Sequence, residues 1–374
     1  MRRGDGVAGI GECLRLEFRG PNRFFDAAEA WREITAIAVV HDKVGLPGSG
    51  LVAFGAFAFD DSSACTSVLI VPEVIVGRRG SATWVTHING SRHSPVRRPF
   101  GRPFRVPLRE GSMTSERYTD AVTSALESIG SGDLRKVVLA RDLVGALPDG
   151  ADVRRILAAL AIDYPDTWTF AVDGLVGSSP ETLVRVTRGA VTARVLAGSI
   201  ARGADAQSDR EAAERLTNSS KDRDEHRFAV DSVLAALEPL SRSAVASVTP
   251  FTLQLPNLWH LASDVAGELD ERSTSLDLVA VLHPTAAVAG EPTRAALEFI
   301  AAIEPFDRER YAGPVGWVDG HGDGVWAIAL RSAEISATGG VRAFAGAGVV
   351  AGSQPEAELA ETALKFRPMT GALD

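Results

Sequence analysis

Cysteine is scarce in this chain. Among 374 residues there are two, Cys13 and Cys65. Two isolated thiols give neither a zinc-ligand spacing nor a disulfide framework, so a reducing cytoplasm is the expected compartment. Long apolar runs are missing too. The longest, Leu51 to Phe59, has nine residues, against the ~20 a membrane-spanning helix needs. The first residues, MRRGDG, contain no apolar core of a secretory signal. Positive charge is in deficit: 39 Lys and Arg face 48 Asp and Glu, for a net charge of −9. Such a balance argues against a nucleic-acid or anionic-membrane partner, while a local basic pocket for a small anion stays open. No GxGxxG, P-loop or GxSxG segment occurs, and no Ser-His-Asp set holds together.

Lysine is the second shortage. Of the 39 basic residues only Lys43, Lys136, Lys221 and Lys365 are lysines. Arginine cannot act as a base, so a retained lysine can mark a place needing a compact, titratable amine. Three of the four lie in the densest polar motifs.

What is there reads as an α+β fold with antiparallel sheets. Residues 34 to 40 and 51 to 59 read as buried strands, being short, apolar and bounded by turn residues. The proline-rich stretch 94 to 107 reads as an extended connector inside one large fold. A helix capped by Thr114 or Ser115 is expected, with Tyr118, Ala121, Val122 and Ala125 on its inner face. A strand at 136–144 and a helix near 152–162 follow. Strands WTFAV, LVGSS, TLVRV and VTARVLAGS come next, then helices near 207–217 and 221–238. Segregated runs of strands and helices favour two packed, mainly antiparallel sheets with helices outside.

The chemistry concentrates in a few motifs. In the last helix, begun by Pro355 at its first position, Glu358, Glu361 and Lys365 fall within about a 60° arc. Leu359, Ala363 and Phe366 lie away from them and are expected to be the packed side. The preceding AFAGAGVVAGS reads as a glycine loop able to present N–H groups to an anion. In SSKDRDEHRFAV, Asp222, Glu225 and His226 begin a face that continues inward, which is costly for acids unless they are paired or bind metal. Two helices offering acids in this way suit an oxygen-liganded divalent cation such as Mg²⁺; helix capping explains the aspartates as well. Glu181, after Pro180 in GSSPETL, sits at a turn where a half-buried carboxyl could serve as a general acid. Lys136 opens an apolar strand and could be desolvated towards a general base. Gly198 and Ser199 in LAGS read as a turn. His260 and His283 sit in apolar segments; His41, His87, His93 and His321 have no clustered partners.

SSPETL, LAGS, KDRDEH, LWHL, LHPTAAVAG, PFDRERYAGPVGW, ALRSAEI, FAGAGVVAGS and ETALK, in this order, resemble the chorismate-utilising enzymes. That family includes isochorismate and salicylate synthases and the large components of anthranilate and aminodeoxychorismate synthases. The match spans residues 114–368, the motif-bearing region; residues 1–110 are motif-poor. The resemblance implies one chorismate-binding domain over 1–374, with a fold like anthranilate synthase component I. Its nearest branch looks like isochorismate synthase. Ala197 stands where the aminodeoxychorismate branch carries a lysine nucleophile, and Lys136 where water-using members keep a lysine.

By this resemblance, Lys136 is the base that activates water for attack at C2 of chorismate, and Glu181 is the acid that protonates the departing C4 hydroxyl. Glu225 and Glu361 resemble Mg²⁺ ligands, with Asp222 and Glu358 behind them and Lys365 nearby. Arg331 resembles the arginine that takes the enolpyruvyl carboxylate, and Tyr311 shares that task. Gly198, Gly346 and Gly348 resemble backbone contacts to substrate, and His260 a pocket residue. The implied partners are chorismate and isochorismate alone, with the protein a monomer, and the product feeding siderophore, salicylate or menaquinone synthesis. A salicylate synthase, which goes on to eliminate pyruvate, and a non-catalytic chorismate or metal binder are the alternatives.

Overall fold

The computed structural model describes residues 1–91, 96, 98–254 and 258–374, with backbone alone for Ser199, Ala201, Lys221, Glu225 and Leu258. Two antiparallel sheets carry the fold. The larger runs, in spatial order, Ser241–Ala246, Leu258–Leu269, Ala190–Ala201, Thr182–Thr187, Gly324–Ile328, Pro314–Asp319, Val52–Ala56, Ser67–Val71 and Leu14–Phe18. The smaller runs Gly290–Glu291, Lys136–Ala146, Gly340–Val350, Ser332–Ile335, Leu175–Ser179 and Trp168–Val172. Its two long strands pair over their whole length, from Gly340 opposite Ala146 to Val350 opposite Lys136. A small third sheet joins Gly6–Ile10, Val74–Arg79 and Ala82–His87. This is the α+β arrangement of packed antiparallel sheets that the sequence implied. No helix among the described residues is long and apolar enough to cross a membrane.

Local chemistry sets the helix ends. Thr114 accepts a hydrogen bond from the Arg117 N–H at the start of Ser115–Ser131, and Gly132 ends it at φ 90°. Tyr118, Ala121, Val122 and Ala125 are buried there as their spacing required. Pro355 opens the last helix, Pro355–Leu373.

Three expectations are corrected. Residues 34–40 are not a strand: 34–37 are the final turn of a helix, Arg23–Ile37, whose Phe24, Ala27, Ala28 and Trp31 are buried at helical spacing. A short apolar window cannot tell a strand from a helix end. The glycine-rich AFAGAGVV is no loop but the buried end of strand Gly340–Val350. Glycine there serves packing, since a Cβ on Gly346 would stand 2.8 Å from the Leu139 carbonyl oxygen. Gly198 is not in a turn either. It sits at φ +77° inside strand Ala190–Ala201, where the register against Leu258–Leu269 slips between Ala197 and Ser199, a bulge glycine. The connector 94–107 lies partly outside the described residues; farther along it, Val106 donates to the Leu373 carbonyl.

Candidate active site

A cavity of about 560 Å³ opens between the two sheets and the last helix. Its buried end holds Lys136, His260, Arg308, Tyr311 and Gly346. Twice along the cavity wall the chain crosses from one sheet to the other. Pro180–Glu181 joins Leu175–Ser179 of the smaller sheet to Thr182–Thr187 of the larger. Ala329–Arg331 makes the return passage from Gly324–Ile328 to Ser332–Ile335. The crossings are tied together: the Ile328 N–H donates to the Glu181 carbonyl at 3.1 Å, and the Ser178 N–H to that of Arg331 at 3.1 Å. Backbone geometry thereby fixes an acid and a guanidinium on the same wall.

Lys136 and Glu181 both line this cavity. Lys136 is 4% exposed. Burial pulls its amine down to about 8, against the opposing pull of Glu181. Burial also raises the Glu181 carboxyl, against the opposing effects of Lys136 and Lys365. Low dielectric thus favours the neutral form of each group. A neutral amine can take a proton and a neutral carboxyl can give one, the pairing that acid–base chemistry near neutral pH uses. Glu181 is further held by a hydrogen bond from its N–H to Ser179 Oγ at 3.2 Å.

Anion-binding groups lie on the same wall. Arg331 is half-buried at φ +50° and has no carboxylate partner among the described residues. Burial lowers its pKa, the mark of a cation short of compensation. Tyr311, stacked on Phe344 with centroids 5.1 Å apart, lies close enough to Arg331 to feel its charge. Burial raises the Tyr311 phenol to about 12, so it stays a neutral donor. Lys365 Nζ donates to the Gly346 carbonyl at 2.8 Å and pairs with Glu361 Oε1 at 2.5 Å. Gly346 and Gly348 line the cavity opposite Ala140 and Val138. Gly198 is not on the wall as a lining residue; it lies under the helix Ser220–Leu237, where its Cβ would meet Asp222 at 3.4–3.5 Å. His260 lines the cavity, and burial holds its imidazole neutral, well below its ordinary pKa.

The acids of the last helix reverse one expectation. Glu358, Glu361 and Lys365 do share a face, but it is the buried one: both glutamates are 5% exposed. Ala363 and Leu364 point to solvent, while Phe366 is buried. The polar face turns inward because it backs onto a polar cavity. Glu358 accepts from Ser353 Oγ at 2.6 Å. Glu361 is buried with neither oxygen in a hydrogen bond among the described residues, and its charge is offset by Lys365 and, at longer range, by Arg331. Both acids stand behind Lys365 rather than on the cavity wall. Asp222 is half-buried on the helix Ser220–Leu237; the Glu225 side chain lies outside the described ones. His226, grouped with them in sequence, is a clamp: its two ring nitrogens bond the Ala197 carbonyl at 2.9 Å and Ser263 Oγ at 2.8 Å, bracing the bulge. Among the described residues no three His, Cys, Asp or Glu side chains converge as a metal cage. The buried, donor-free Glu361 carboxylate nevertheless fits a hard cation, which takes oxygen ligands and keeps waters.

Some cavity groups were not singled out from sequence. Arg308 is 3% exposed, pairs with Glu304, and donates to the Val288 and Val138 carbonyls at 3.0 and 2.6 Å. Glu304 in turn accepts from the Ala140 N–H at 2.8 Å, so the pair fixes the strand bearing Lys136. A spacing of four is shared by ordinary surface pairs, and only burial distinguishes this one. Trp168 Nε1 donates to Thr182 Oγ1 at 2.8 Å, bracing the residue after Glu181. His283 is a core residue bonded to the Phe59 carbonyl at 2.9 Å, and His93 lies outside the described residues.

The chain is similar to known proteins in sequence and in fold. Residues 2–93 and 101–374 match the family model described as chorismate binding enzyme. The isochorismate synthase DhbC of Bacillus subtilis is 38% identical, over 85% of this chain and 80% of its own. The salicylate biosynthesis isochorismate synthase of Pseudomonas aeruginosa is also 38% identical, over 97% of this chain and 82% of its own. The solved structure of MenF, the menaquinone-specific isochorismate synthase of Escherichia coli, superposes with a TM-score of 0.73 at 26% identity, covering 100% of this chain and 87% of that one.

Proposed function

The chain belongs to the chorismate-binding enzymes, and on that premise we propose that it is an isochorismate synthase. It adds water at C2 of chorismate and releases the C4 hydroxyl. The observation that carries this reading is that the buried Lys136 and the half-buried Glu181 share one cavity, where desolvation favours a neutral amine and a neutral carboxyl together. Lys136 takes a proton from the attacking water as it bonds to C2. Glu181 gives a proton to the C4 oxygen as that bond breaks. The ring double bonds shift between the two positions, so the step is redox-neutral. Because acid and base exchange roles in reverse, the enzyme interconverts the two hydroxy acids.

Arg331 and Tyr311 receive the enolpyruvyl carboxylate, the guanidinium offering a planar fork to a planar anion. Gly346 and Gly348 allow the ring to approach the backbone, and His260 stays neutral beside it. Gly198, under Asp222, holds the bulge of strand Ala190–Ala201 behind the cavity wall. Glu225 and Glu361 would hold Mg²⁺, with Asp222 and Glu358 behind them. When bound, the ion supplies positive charge against the ring carboxylate. Lys365 adds its own charge there. The protein works as a cytoplasmic monomer, and its product feeds siderophore, salicylate or menaquinone synthesis.

The direct test is incubation with chorismate and Mg²⁺ followed by chromatography. Accumulating isochorismate supports the reading. Salicylate with pyruvate would make the protein a salicylate synthase. Thermal stabilisation by chorismate without turnover would make it a binder.

A further inference from the structure

The wall of the cavity does not share the sign of the molecule. The chain carries −9, yet the exposed charged residues lining the cavity are Arg2, Arg185, Arg194 and a single acid, Asp264. Arg194 is tied to Asp264 at 2.6 Å. Arg2 and Arg185 have no carboxylate partner among the described residues. Arg2 lies over the Trp168 ring, 5.4 Å from its centroid, and spends only Nε, on the Asp166 carbonyl at 2.8 Å. Arg185 donates from Nε to Thr187 Oγ1 at 3.2 Å, along its own strand. Both guanidinium groups are thus held at the mouth with their terminal nitrogens uncommitted. Farther in, the wall adds Arg331, Arg308, Lys365 and Lys136 against the acid Glu181, with Arg308 and Lys365 paired to Glu304 and Glu361 behind it.

We propose that Arg2 and Arg185 form an outer collecting site that draws a small dicarboxylate into the cavity against the repulsion of an acidic protein. The inference rests on the reading of the substrate as the chorismate dianion. A like-signed cleft focuses its field and raises the local concentration of an oppositely charged ligand, by roughly 10- to 10³-fold in favourable cases. The effect must fade with salt, as the screening length falls from about 30 Å at 0.01 M to about 3 Å at 1 M. Asp264 opposes it by neutralising Arg194.

The test is steady-state kinetics of the wild type, the Arg2→Glu/Arg185→Glu double variant and Asp264→Asn over a series of sodium chloride concentrations. The double variant is expected to lose about tenfold in kcat/KM at low salt, in KM rather than kcat, with the gap closing as salt rises. Asp264→Asn is expected to gain about twofold at low salt, which damage to the fold would not produce. Salt slopes parallel to wild type, or a salt-independent loss in kcat, would overturn the proposal. If the wild type makes no isochorismate, the functional reading fails first. Calorimetric titration with chorismate over the same salt series then tests the collecting site by itself, by the same comparison of slopes.

Discussion

Residues 1–110 and residues 114–374 contribute unequally to the molecule. The first region supplies strands Leu14–Phe18, Val52–Ala56 and Ser67–Val71 to the larger sheet, and a helix whose Trp31 is fully buried and donates to the Asp319 carbonyl at 3.0 Å. Among the described residues it gives one to the cavity wall, Arg2. The second region supplies the rest of the wall, and there burial is spent on polar groups: Lys136, His260, Arg308 and, behind Lys365, Glu358 and Glu361. Both regions bury hydrocarbon and gain stability from it, but among the described residues the first buries a single charged side chain, Arg23, whereas the second buries many and loses some stability to them. Stability and chemistry are therefore separable by mutation, and the contrast can be pressed from both sides.

The largest effect is expected from metal removal. Chelation by EDTA should abolish isochorismate formation and Mg²⁺ should restore it, because without the ion the negative charge of Glu225 and Glu361 opposes a dianion. Full turnover in metal-free buffer would contradict the assignment of Glu225 and Glu361. Next come Lys136→Ala and Glu181→Gln, each expected to lower kcat by about 10³-fold, within the range for a lost acid or base. Equilibrium titration should show that both still bind chorismate. In the first region, Trp31→Ala should cost about 3–5 kcal/mol of unfolding free energy, read by denaturant titration, with kcat per folded molecule unchanged. A loss of kcat there would dissolve the contrast.

The smallest expected effect has the opposite sign. The amine of Lys136 titrates at about 8 when folded against 10.5 when free. Where the folded pKa is the lower, the unfolded chain binds more protons between the two values, so stability rises with pH across that window. Below it the burden is fully present, about 3 kcal/mol at neutral pH. Lys136→Met should therefore be more stable than wild type at pH 7, and the gap should narrow as pH rises from about 8 to about 10.5. The wild-type kcat/KM should climb towards about pH 8 as the amine loses its proton. A Lys136→Met protein less stable at neutral pH would mean the lysine belongs to the scaffold.

Much of the site was legible in the sequence, and the failures share a cause. Helical periodicity put Glu358, Glu361 and Lys365 on one arc correctly but expected Ala363 on the packed side, where it is exposed. A helix pattern says which residues lie together, and burial of the polar side depends on what the helix backs onto. Gly198 was recognised as a special position, yet a positive φ serves a turn or a bulge equally, and only pairing with Leu258–Leu269 decides. Arg23–Ile37 went unread because its inner face, Phe24 to Trp31, lies upstream of the apolar window that was judged. The pairing of Glu181 with Lys136 came from the family resemblance, because an acid after a proline reads as readily as an exposed turn residue, and Lys136 is only one of four lysines among 39 basic residues. That Glu181 and Arg331 occupy paired sheet crossings is a fact of topology that no local pattern carries.

The central claim is tested most directly by turnover in heavy-oxygen water with mass spectrometry of the isochorismate released. If Lys136 activates a solvent water at C2 and Glu181 releases the C4 hydroxyl, the product hydroxyl carries the solvent label from the first turnover, and label incorporation disappears with product formation in Lys136→Ala. Unlabelled isochorismate from the wild type would mean that the hydroxyl migrates without exchange, and the assigned roles of both residues would fall.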